Sequence, residues 1–157
     1  MLSNLSVCLA IAEEALAELQ ELDAAGRTPK PDGQPGYVVA LDPDRRSFKQ
    51  SLVALAFAGM YFDALLYLRG ATRLGKLESE RIDRNTKYED KLQLLGVSDI
   101  EILATCKRFR EARNDLTHEK AVATPEVSTA HFRWAQTEAA VALAFARQVR
   151  ELLQNAS

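Results

Sequence analysis

Cysteine is scarce in this chain, with only Cys8 and Cys106 in 157 residues. Two isolated thiols make neither a disulfide framework nor a zinc site, and they fit a reducing compartment. Histidine is equally scarce, with only His118 and His131, so a cluster of imidazoles at metal-ligand spacing is excluded and no metal or other cofactor is expected. Neither sign of charge prevails. The 20 Lys and Arg stand against 22 Asp and Glu, a net charge of -2, which excludes a polyanion binder held by bulk positive charge and leaves only a local patch for nucleic-acid contact. The longest apolar run, Leu52 to Leu68 with Asp63 inside it, is shorter than the roughly 20 residues that span a bilayer. Leu5-Ser6-Val7-Cys8 faintly resembles a lipoprotein cleavage box, but no basic residue precedes it, Val7 is too large, and Glu13-Glu14 end the apolar run early. The expectation is a cytoplasmic protein with no membrane segment. With 47% hydrophobic and 27% charged residues, residues 1–157 can form one domain with its own core.

Helical periodicity dominates. Over Leu2 to Ala25, Leu5, Leu9, Ala12, Leu16 and Leu19 repeat at steps of three and four, with Glu13, Glu14, Glu18 and Glu21 as a solvated face. Gly26 to Pro43 then gathers Pro29, Pro31, Pro35 and Pro43 with three glycines, so the helix must break into a long loop, within which Tyr37 to Leu41 can be extended. A second helix is expected after Asp42-Pro43-Asp44 and runs to about Leu68, apolar around most of its circumference and therefore central. Arg69 to Lys76 reads as the next break, followed by a charged stretch, a helix over Tyr88 to Leu95 closed by Gly96, and a helix capped by Ser98 or Asp99 that ends near His118. Its apolar stripe is Ile102, Cys106, Phe109, Ala112 and Leu116. Pro125-Glu126 opens a last helix to about Leu153, with Trp134, Val141, Phe145 and Val149 on its buried side. The pattern predicts an all-α, up-and-down bundle of about five helices.

Two segments invite a chemical reading. Gly70-Ala71-Thr72-Arg73-Leu74-Gly75-Lys76 has the glycine and lysine spacing of a phosphate-cradling loop, yet it follows a helix, and Leu77 replaces the Ser or Thr that would hold magnesium. It reads as an inter-helix turn. The second is Phe109 to Lys120. At about 100° per residue, Asn114 and His118 lie one turn apart on one face, Arg113 sits about 140° from His118, and Arg110, Asn114 and Thr117 project between them, which predicts one contiguous polar face of Arg110, Arg113, Asn114, Thr117 and His118. Arg113 is near the seam with the core, where a neighbouring helix or a partner subunit lies. An imidazole titrating near neutrality can move a proton, a guanidinium can fork onto phosphate oxygens, and Asn114 can orient either partner. An RNA substrate would supply its own 2′-hydroxyl as nucleophile, without a metal. The same residues also fit a histidine at the negative end of its helix and an arginine paired with an acid. Asp63, a lone carboxylate in Phe57 to Leu66, needs a polar cleft or a cation such as Arg113, either as a structural pair or to position the arginine. His131 reads as a surface residue.

Arg113-Asn114 followed by His118, at the end of the penultimate helix, resembles the signature of the HEPN superfamily, all-helical domains of prokaryotic toxin, antiphage and RNA-processing systems. Tyr88, Lys91-Leu92, Leu94-Leu95-Gly96, Phe109 and Glu119 add to the likeness. The resemblance implies a four-to-five-helix bundle, a homodimer that brings two Arg and His pairs into one cleft, and a metal-independent endoribonuclease that leaves a 2′,3′-cyclic phosphate. It also implies a place in a toxin-antitoxin or antiphage system, with a cognate antitoxin as partner. A subgroup of these toxins carries a tyrosine two residues beyond the histidine that a partner nucleotidylates; Lys120 stands there, which argues against that form of control. The alternative is a non-catalytic HEPN-like module that binds RNA or a partner protein.

Overall fold

The computed structural model describes residues 4–40, 42, 44–117 and 129–155. Among them six helices form an all-α bundle: α1 (Asn4–Ala25), α2 (Arg46–Leu74), α3 (Lys76–Asn85), α4 (Tyr88–Leu94), α5 (Ile100–Thr117) and α6 (Thr129–Asn155). α2 is the axial element, packed by α1, α3, α5 and α6. Its buried side carries Leu55, Ala58, Tyr61, Phe62, Leu65 and Leu66, which meet Cys106 and Phe109 of α5 and Phe145 and Val149 of α6 in one core.

The element boundaries follow local chemistry. Asp42 accepts hydrogen bonds from the backbone N–H groups of Arg46 and Ser47, so an acid outside the helix satisfies donors of the first turn of α2. α4 ends in a Schellman arrangement. Gly96 (φ 86) donates to the Gln93 carbonyl at 2.9 Å, and Val97 to the Leu92 carbonyl at 2.9 Å. Of the two candidate caps for α5, Asp99 is the one used, its Oδ1 accepting from the N–H groups of Glu101 and Ile102 at 2.8 and 3.2 Å.

Two expectations are corrected. The break expected at Arg69 to Lys76 shrinks to Gly75 (φ 89), because Gly70 stays helical: a side chain there would come within 2.7 Å of the Ser79 hydroxyl, so the glycine lets α3 fold back tightly on α2. The charged stretch that follows is itself helix α3, which raises the helix number to six. α2 therefore has 29 residues and is by length and composition able to cross a membrane, although half of its most apolar window is buried in the bundle. In the proline-rich connection, β1 (Arg27–Pro29) pairs antiparallel with β2 (Tyr37–Val39), with Thr28 opposite Val38. This hairpin forms one wall of a cleft of about 740 Å³, whose other walls come from the end of α1 and the starts of α2 and α6.

The glutamates of α1 are not all free in solvent as expected. Glu13 binds Arg147, and Glu18 binds Arg46 and Gln50, ties that fasten α1 to α6 and α2.

Candidate functional site

The site expected around Arg113 begins with the direction of its side chain. Arg113 follows Phe109 by four residues, about 40° around the helix, and so shares the apolar stripe of Ile102, Cys106, Phe109 and Ala112, all buried. A long cationic side chain on such a stripe needs room and polar partners at its tip. α2 supplies both. Gly59 makes the room, since a Cβ there would stand 2.6 Å from Nε and 2.8 Å from Cδ of Arg113. One turn further along α2, Asp63 Oδ2 lies 3.1 Å from Arg113 Nη1. The lone acid of the central helix thus has the cation expected of it. It is not deeply buried, however: the two side chains retain 28% (Arg113) and 39% (Asp63) exposure. A pair this wet contributes about 1 kcal/mol or less to stability, so its consequence is mainly orientation.

α4 supplies the remaining contacts. Arg113 Nη1 also donates to the Tyr88 hydroxyl. The next residue, Glu89, grips the other arginine of the motif, accepting Arg110 Nε at 3.2 and 3.1 Å and Nη2 at 3.0 Å. Burial alone would raise the Glu89 carboxyl, but the hydrogen bond and charge of Arg110 hold it below its ordinary range. Two successive residues at the start of α4 therefore clamp the two arginines. Beneath them lies an aromatic cluster, with Phe62 edge-on to Tyr88 at 5.2 Å and to Phe109 at 5.4 Å, and Tyr88 stacked on Phe109 at 6.1 Å. Buried Lys91 stands 5.7 Å from the centre of the Tyr88 ring, its Nζ held by Asp83 at 2.6 Å. Cys106, fully buried nearby, has its thiol pushed up to about 12, first by burial and then by the Glu89 charge, which makes it a poor nucleophile.

The single polar face expected over Arg110, Arg113, Asn114 and Thr117 is divided by these contacts. Arg113 turns toward α2, Arg110 is committed to Glu89, and Asn114 is exposed on α5. Thr117 is the last residue of α5, and His118 lies outside the described residues. His131 falls in the first turn of α6. Among the described residues, no three His, Cys, Asp or Glu side chains are grouped as metal ligands.

Sequence reasoning did not assign roles to Gly59 or Glu89, and it did not find the pair that joins α5 to α6. There the Glu138 carboxylate, 4% exposed, accepts Arg108 Nε and Nη2 at 2.6 to 3.1 Å. The isolated glycine inside an otherwise apolar helix was the available signal for Gly59. No family model matches this chain, and no curated protein or solved structure matches it.

Proposed function

We propose that the protein is a HEPN-type endoribonuclease that works in the cytoplasm as a homodimer and needs no metal ion. The observation that carries the reading is the fixed placement of Arg113 over Gly59, between Asp63 and Tyr88, five positions before His118 in the sequence motif. An arginine ordered in this way can meet a scissile phosphate with little further loss of side-chain freedom. In the proposed reaction His118 accepts the proton of the RNA 2′-hydroxyl, whose oxygen attacks the adjacent phosphorus. The bond to the 5′-oxygen breaks, that oxygen takes a proton from an imidazolium, and a 2′,3′-cyclic phosphate remains. Arg113 offsets the charge that builds on the phosphoryl oxygens. A place in a toxin-antitoxin or antiphage system, with an antitoxin as protein partner, belongs to the same reading.

The test is incubation with RNA in excess EDTA. Cutting should persist, the products should end in 2′,3′-cyclic phosphate, and a 2′-deoxy nucleotide at the scissile position should block it. Activity that vanishes with the chelator and returns with magnesium or manganese defeats the chemistry.

The dimer has a structural candidate in the outward side of α2. Val53, Ala56, Met60, Ala64, Tyr67 and Leu68 follow one another there at helical spacing, Met60 and Leu68 each remain 49% exposed, and Asp63 borders the strip. A two-fold contact along this strip would bring two Arg113 sites to one seam. Light scattering should give about twice the 17.4 kDa chain mass. Met60→Glu should yield a folded monomer with little activity, whereas a parent that is already monomeric removes the composite site.

A non-catalytic, RNA- or protein-binding module is the second reading. It is favoured by one observation, that the Arg113 charge is already met by Asp63.

A further inference from the structure

Tyr88, 7% exposed, opens α4, and its hydroxyl reaches Arg113 from that helix. The ring is held on several sides, by Phe62, Phe109 and the Lys91 ammonium. Its hydroxyl accepts from Arg113 Nη1, the same nitrogen that pairs with Asp63, so three side chains from α2, α4 and α5 meet at the guanidinium. Burial, then the hydrogen bond and charge of Asp63, push the phenol far above its ordinary range against the opposing charge of Arg113. A phenol that keeps its proton this firmly cannot serve as an acid or base near neutrality.

We propose that Tyr88 is a positioning residue for Arg113, fixing the plane of the guanidinium so that it is ready for a phosphate. Asp63 is 39% exposed and water competes for it, so the ion pair is a weak anchor for the plane of the guanidinium. A hydroxyl on a ring immobilised by aromatic contacts gives the same Nη1 a second anchor that does not move. The catalytic half of this inference rests on the ribonuclease reading; the ordering of Arg113 does not.

Tyr88→Phe keeps the ring and removes only the oxygen. The full-length variant should fold and melt like the parent, while kcat for RNA falls roughly 10-fold, the scale of one hydrogen bond to a charged group, and KM moves little. The second readout is the Nε–Hε resonance of Arg113 in ¹⁵N-labelled protein, assigned by its loss in Arg113→Lys. Slow rotation about the Nε–Cζ bond is expected in the parent and fast rotation in Tyr88→Phe. A merely structural role would not produce that change without a change in melting. Unaltered rotation, or unaltered kcat in a parent that cuts RNA, overturns the proposal. A parent that does not cut RNA removes only the ribonuclease reading, and the resonance comparison still decides whether Tyr88 orders Arg113.

Discussion

Replacing His118 by alanine is expected to slow RNA cleavage roughly 100-fold or more, the usual scale for loss of an acid-base group, while RNA binding stays nearly intact. The asymmetry follows from charge. A neutral imidazole adds little attraction for a polyanion, whereas the proton it moves is needed in the transition state and nowhere else. Single-turnover cleavage measured beside a filter-binding or anisotropy assay reads the two quantities on the same variant. A folded, dimeric His118→Ala protein that cuts RNA as fast as the parent ends the catalytic reading and leaves the binding module in its place.

Gly59→Ala should cost nearly as much activity without touching the motif. The added methyl would stand 2.6 Å from Arg113 Nε and 2.8 Å from its Cδ, and these atoms belong to a flexible side chain rather than to backbone. The helix therefore stays and the arginine leaves. In leaving, it gives up its contacts with Asp63 and Tyr88, so the loss should approach that of deleting a transition-state donor, on the order of 100-fold in kcat. Stability should move the other way or not at all. Alanine is a better helix former than glycine by about 1 kcal/mol, and the Asp63 pair it displaces contributes about 1 kcal/mol or less. A variant that melts no lower than the parent yet has lost most of its turnover separates a misplaced arginine from a damaged fold. Full activity in that variant would show that the position of Arg113 over Gly59 has no part in the reaction.

Much of the helical frame was legible along the chain because its determinants are local. The cap at Ser98 or Asp99, the Gly96 stop and the stripe of α5 each depend on residues within a turn or two of one another, so periodicity and capping chemistry suffice to locate them, although only the structure chose Asp99. The proline-rich break after α1 was equally plain. Gly70 was misleading for a tertiary reason: it reads as a breaker in sequence, but the approach of Ser79 makes a glycine useful inside the helix. The site was only half legible. Arg113 is marked by its spacing to His118, and Asp63 with the idea of their pairing by the rarity of a lone acid in an apolar helix, but the angular wheel of α5 put Arg110, Arg113, Asn114, Thr117 and His118 on a common polar face. The bundle separated the two arginines, because Gly59 and Asp63, 54 and 50 positions before Arg113, draw it toward α2, and Glu89, 21 positions before Arg110, holds the other arginine against α4. The sequence by itself determined the break after α1, the stop of α4, the start of α5 and the apolar stripes, since these are settled by neighbours in the chain, whereas the end of α2 and the presence of α3 were not. Only the tertiary structure decided which acid meets which arginine, because a guanidinium takes the acceptor that packing brings within about 3 Å, and that distance belongs to the assembled bundle rather than to any one helix.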